Sequence, residues 1–229
     1  MSVPAEPGGT PEEPHGSTDP VEATDRDWRV RVQQAAREAA WASSRPRRSE
    51  EGFNYRWEHV QAVVRLARHL AELTGADAEV VEAAAWLHDV AKDTSNDHGR
   101  AGAREARRIL AETDFARDKV EAVAEAIAKH VGLVVPAPVE PLEAAVVWDA
   151  DKLTKVGATA ILHYTGHRVM KGQGTTSDLL TWLPEPVLED IVGCLHTAPA
   201  QAAGRRRLQV FRAFCEQAID EFDGEDLLP

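Results

Sequence analysis

The chain has 229 residues, long enough for one sizeable core, and its 38 acidic against 26 basic side chains give a formal net charge of −12. That balance excludes non-specific binding to nucleic-acid backbones, which rewards an excess of lysine and arginine. The two cysteines, Cys194 and Cys215, are too few for a disulfide framework and lack zinc spacing, no stretch has the apolar length of a membrane span, and no signal peptide opens the chain, so a soluble cytoplasmic protein is expected.

Residues 1–23 are rich in Pro, Glu, Gly, Ser and Thr and cannot offset the entropy of ordering, so a disordered tail is expected there, with His15 solvated. From 24 to 229 the periodicity is helical and nothing reads as a strand longer than a few residues. The expected fold class is all-α, in one domain with a core over about 54–170 and C-terminal helices over about 178–223.

A first helix is expected from about Asp25 to Trp41, before the breaker SSRPRR. Asn54 caps a second that ends near Gly75, with Val60, Val63, Val64, Leu66, Ala67 and Leu70 as a wide apolar face. His59 shares that stripe and points inward. Asp77 caps a third helix, whose stripe Val81, Ala84, Ala85 and His88 carries the pair His88-Asp89 to its C-terminal end. A fourth from about Gly99 to Glu112 and a fifth from about Arg117 to Val131, closed by Gly132, leave His98 and His130 at helix ends.

Beyond VVPAPVEP, Pro141 suits the first turn of a sixth helix carrying Trp148, Asp149, Asp151 and Leu153. The segment from Ala158 to Pro229 reads as further helices broken by KGQGTTS and LPEP, with Leu208, Phe211, Cys215, Ala218, Ile219 and Phe222 as a core-facing stripe. The basic runs at Arg45–Arg48 and Arg205–Arg207 read as solvated surface.

The most informative feature is His88-Asp89, at the end of the apolar run VVEAAAWLHD. A carboxylate there needs a compensating partner, and an imidazole beside it makes a ready ligand pair for a divalent cation. The chain order is His59, His88-Asp89, His98, His130, Asp151, at the ends or inner faces of separate helices. Any one of these histidines alone reads as a hydrogen-bonded core imidazole; together, in this order, they read as a metal site. Residues two apart on a helix project about 200 degrees apart, so only one of Asp149 and Asp151 faces a single site, and periodicity does not choose between them.

The segments WEHV, LHDVAKD, HGRAGAREARRIL, AIAKHVG and DADKLTKVGATAI, with TAPAQAAGRRRLQVFRAF near the C-terminus, resemble the HD superfamily of metal-dependent phosphohydrolases from roughly Trp57 to Phe222. The resemblance implies an HD-domain helical bundle and a core ligand set of His59, His88, Asp89 and Asp151. The family's Ala-Asp-x-Leu pattern falls on Asp151, leaving Asp149 a supporting or alternative ligand. His98 and His130 would either hold a second metal, with Asp89 as the bridge, or bind substrate phosphate beside a single ion. The implied cofactor is one or two divalent ions of Mn, Fe, Co, Ni, Zn or Mg.

The chemistry so implied is attack of metal-activated water on a phosphoester or phosphoanhydride of a nucleotide or related small phosphate, without a covalent enzyme intermediate. Asp89 and Asp93 are the candidates for orienting or deprotonating water; Lys92 is the candidate for neutralising substrate phosphate, followed by Lys152 and Lys155. Similar small bacterial HD hydrolases usually have Asp where this chain has Thr154 and Arg where it has His163, so the substrate does not carry over. Two other classes share these residues: a di-iron oxygenase of HD type, and a non-catalytic metal- or nucleotide-binding regulatory module. His69, His163, His167 and His196 lack motif support, and the apolar helices would also support a homodimer.

Overall fold

A computed structural model describes residues 26–43, 53–92, 97–135, 137–181 and 185–227. Among them every regular element is helical, as the periodicity requires. The helices are α1 (Trp28–Ala42), α2 (Tyr55–Thr74), α3 (Ala78–Leu87), α4 (His98–Ala111), α5 (Val120–Lys129), α6 (Leu142–Leu153), α7 (Ala158–Met170), α8 (Thr176–Thr181), α9 (Glu185–Gly193) and α10 (Ala198–Asp223). The expected tail at 1–23 lies outside the described residues.

Local chemistry sets most of the starts. Asn54 Oδ1 accepts from the backbone N–H groups of Arg56 and Trp57, and Asp77 Oδ1 from those of Glu79 and Val80. The side-chain amide of Asn54 also donates to the Ala40 carbonyl at 3.2 Å, tying the start of α2 to α1. The helix α1 begins at Trp28, later than the expected Asp25, because Asp27 is its cap and accepts from the Arg29 N–H at 2.8 Å. The fifth element is split: a 3-10 turn at Arg117–Lys119 leads into α5, which stops at Lys129, short of the expected Val131. There the His130 ring takes the Ile127 carbonyl. Pro141 precedes α6 as its cap, one position outside the expected first turn.

The main core is built on α3 and α6, which are buried from Val80 to Leu87 and from Ala144 to Leu153. Both pack against α2 and α5. A smaller cluster, Val156, Ile161, Leu188, Ile191, Leu208 and Phe211, joins α7, α9 and α10. The expected inward stripe of α10 holds only in part: Leu208 and Phe211 are buried, but Ile219 and Phe222 are 43% and 53% exposed. The helix outruns the core, and its distal apolar residues line a groove of about 370 Å³ with Ile161 and Tyr164 of α7 and Leu179 and Leu180 of α8. None of the expected site residues lines that groove. No helix among the described residues is long and apolar enough to cross a membrane.

Candidate metal centre

Five helix ends deliver the six expected donors to one place. His59 lies in the first turns of α2, His88 and Asp89 directly follow α3, His98 opens α4, His130 follows α5 and Asp151 is in the last turn of α6. The approach of α4 to α5 requires glycine at 99. A Cβ there would come within 2.5 Å of the Val131 side chain and 2.9 Å of the Ala128 carbonyl, so any larger residue would push apart the ends carrying His98 and His130. Those two imidazoles lie with ring centroids 5.2 Å apart.

Two donor groups result. His59, His88 and Asp151 each offer an atom within 4.8 Å of the others, and so do Asp89, His98 and His130. Asp89 lies between them: its Oδ2 is 3.8 Å from His88 Nε2 and 4.0 Å from His59 Nε2, and its Oδ1 is 3.5 Å from His130 Nε2. His59 Nε2 is 3.3 Å from Asp151 Oδ1 and 3.3 Å from His88 Nε2.

The imidazoles fit a cation. His88 Nδ1 donates to the Ala85 carbonyl at 2.8 Å and His130 Nδ1 to the Ile127 carbonyl at 2.6 Å, which leaves each Nε2 with a bare lone pair. The Nε2 of His130 is buried and makes no hydrogen bond. Ligating histidines show this pattern, one nitrogen committed to a carbonyl and the other turned to the metal. Burial lowers His88 to about 3 and also lowers His59, so both are neutral at physiological pH, the form that binds metal.

The carboxyls behave in the opposite sense. Burial alone would raise Asp89, but the charged groups around it, the Lys92 ammonium among them, hold it well below the usual range. For Asp151 the Lys152 and Lys155 charges overcome burial in the same way. Lys155 Nζ is 3.0 Å from Asp151 Oδ1, and Lys92 Nζ is 2.9 Å from Asp89 Oδ1.

Some expected residues have other places. Lys152 does not face an incoming phosphate: it is 1% exposed, donates to the His130 carbonyl at 2.8 Å and to Asp151, and lies 4.0 Å over the Trp148 ring. It neutralises Asp151 from within the core. Asp149 is not in the cluster; its carboxylate accepts from the backbone N–H groups of His196 and Thr197 and from the Thr197 hydroxyl, all within 2.8 Å. Asp93 lies outside the described residues. His69 is exposed, with a side chain 76% accessible.

Two residues at the site, Arg56 and Tyr55, were not singled out from the sequence, and a third, Thr154, was noted only as a departure from similar hydrolases. Arg56 lies 3.9 Å from Asp89 Oδ2, the Tyr55 ring stacks 6.3 Å from His59, and Thr154 Oγ1 is 3.2 Å from His59 Nδ1. Tyr55 and Arg56 precede His59 by four and three positions, the spacing that places residues on one helix face, so the signal was present. His163 and His167 sit against Tyr55, with centroids 6.3 and 4.5 Å away, outside both donor groups.

Residues 56–156 match the HD domain family. The chain carries an HD domain. The match spans all six donors and ends before the C-terminal segment of the sequence resemblance, whereas similar solved structures extend across most of the chain. An HD-superfamily hydrolase from Bacillus thuringiensis is 21% identical, with a TM-score of 0.63 over 86% of this chain and 98% of that one. Bacillus subtilis YpgQ in complex with ADP is 20% identical, with a TM-score of 0.62 over 85% and 94%. A predicted HD superfamily hydrolase from an uncultured Thermotogales bacterium is 24% identical, with a TM-score of 0.58 over 83% and 91%. At these identities the likeness establishes the fold alone. No curated protein matches the chain in sequence. HD domains bind divalent metals, and the two donor groups are residues able to do so here.

Proposed function

We propose that the protein is a divalent-metal-dependent phosphohydrolase acting on a nucleotide or a related small phosphate. The observation that carries this reading is the convergence of bare Nε2 atoms and two ionised carboxylates in adjoining donor groups inside an HD domain. A divalent ion held there supplies Lewis acidity, acidifying its bound water and offsetting charge on the phosphoryl oxygens.

The protein's own part is division of labour. His59, His88 and Asp151 would hold one ion and Asp89, His98 and His130 would be the donors for a second, with Asp89 lying between the two groups. Lys92, with a side chain 41% accessible beside Asp89, is the cation placed to meet a phosphate arriving from solvent. Arg56 flanks the same carboxylate with a side chain 23% accessible, and Lys152 and Lys155 keep Asp151 ionised. The ADP held by Bacillus subtilis YpgQ, a structural neighbour, favours a nucleotide as the phosphate carrier.

Phosphate release from nucleotides and sugar phosphates, with Mn, Fe, Co, Ni, Zn or Mg in turn, tests the reading. Wild type should release phosphate, and Asp89→Ala should lose at least about a hundredfold, beyond the effect of outer-shell changes. Two groups of three donors also suit a di-iron oxygenase. A metal-loaded protein that releases no phosphate from any substrate but consumes oxygen with iron would replace the hydrolytic reading with that one.

A further inference from the structure

We propose that Thr154 is the positioning residue that holds His59 in its metal-ready tautomer and thereby sets the affinity of the centre for a divalent ion; the affinity part rests on the metal reading above. Thr154 follows the last residue of α6 and is 7% exposed. Its hydroxyl has one proton and lies 2.6 Å from the Asp151 carbonyl oxygen, which can only accept. The proton therefore goes to the carbonyl, and toward His59 Nδ1, 3.2 Å away, Thr154 Oγ1 can only accept. His59 then carries its proton on Nδ1, and its Nε2 faces His88 and Asp151 bare.

His59 differs in this from its neighbours. His88 and His130 each commit Nδ1 to the backbone carbonyl three residues earlier, an arrangement that no side-chain change removes. For His59 the Nδ1 tautomer depends on one hydroxyl, set against the acceptors Asp151 Oδ1 and His88 Nε2 that face its other nitrogen. The competing state is close by: a proton on Nε2 would point at Asp151 Oδ1, 3.3 Å away, and form a hydrogen bond to the carboxylate. That bond would engage two ligand atoms at once, and a metal would have to displace it. Thr154 removes the competitor by giving the proton a partner on the other nitrogen. Its bond to the carbonyl also restrains the end of the helix that carries Asp151, so one residue fixes two donors of the same group.

The test compares wild type with Thr154→Val, which keeps the shape and removes the hydroxyl, and Thr154→Ser, which keeps the hydroxyl. Long-range proton–nitrogen spectra of the metal-free, 15N-labelled proteins read the His59 tautomer without any metal. Wild type and Ser should show the proton on Nδ1, and Val should move it to Nε2. Calorimetric titration with Mn2+ should then show about 10- to 100-fold weaker binding for Val, the size expected on loss of an outer-shell partner, with Ser at the wild-type value. The proposal is overturned if Val keeps the Nδ1 proton, if Val binds Mn2+ as wild type does, or if Ser fails as Val does. A wild type that takes up no Mn2+ while Val still shifts the tautomer would sink the metal reading and the affinity role, and would support the assignment of His59 positioning to Thr154.

Discussion

From Asn54 to Leu153 the helices enclose Val63, Ala84, Leu87, Ile127 and Trp148 to complete burial, whereas beyond Gly157 Leu162, Val169 and Phe214 stand 71%, 54% and 49% exposed. Both regions are written in similar apolar helices. In the first, α3 and α6 are covered on every side, so the charged groups at their ends are held against fixed walls. The second attaches through a small cluster, through Leu195 and Ala200 in the main core, through His163 and His167 against Tyr55, and through polar links. Among these, the Asp149 carboxylate accepts from the start of α10 and Arg207 donates to the Leu153 carbonyl at 2.6 Å. The contrast indicates that the first region carries the rigidity a site of closely spaced like groups requires, and that the exposed apolar residues beyond Phe211 in the second can vary without moving the donors.

The strongest way to break this contrast is to open the first region. Leu87→Ala, adjoining His88, should cost about 2–5 kcal/mol in urea unfolding, the range for a buried leucine. Asp149→Ala cuts one of the links between the regions and leaves buried donors unmet, so it should cost about 1–3 kcal/mol. Its Mn2+ uptake should be that of wild type; loss of uptake would return Asp149 to the ligand set.

The pH dependence of the metal-free protein should be carried chiefly by His88 of the first region, although burial also lowers His163 and His167 of the second. His88 is lowered by burial from 6.5 to about 3, so as pH falls below 6.5 the unfolded chain takes up a proton that the folded chain refuses. The stability held by the neutral imidazole is therefore full above 6.5 and declines as pH falls toward 3. Urea midpoints that stay level between pH 7 and 5 would contradict the buried neutral His88. The smallest effect belongs to the second region. Phe222→Ala, at 53% exposure, should stay within about 0.5 kcal/mol of wild type, and a loss equal to that of Leu87→Ala would erase the distinction.

What could be read in advance follows the same division. Asn54 and Asp77 were legible as caps because capping depends on a residue type and the few positions after it, and the six donors were legible from their order and from the motifs around them. The inward stripe of α10 was misread beyond Phe211 because a 3.6-residue period reports an apolar face and not whether anything covers it. Asp149 and Asp151 could not be told apart from either face of α6. The distinction comes from Thr197, brought in from 48 residues away to one of them. Lys152 looked like a phosphate ligand because nothing in its neighbourhood along the chain shows that the His130 carbonyl and the Trp148 ring would enclose it. Thr154 was visible as a departure from similar hydrolases, but its contact with His59 spans 95 positions and is set only by the packing of α2 on α6.

The account depends most on the two donor groups forming a divalent-metal centre, and calorimetric titration of the metal-free protein with Mn2+ measures that most directly. Wild type should bind saturably, and Asp89→Ala and Asp151→Asn should each lose most of that binding; uptake equal in all three, or absent from wild type, would contradict it.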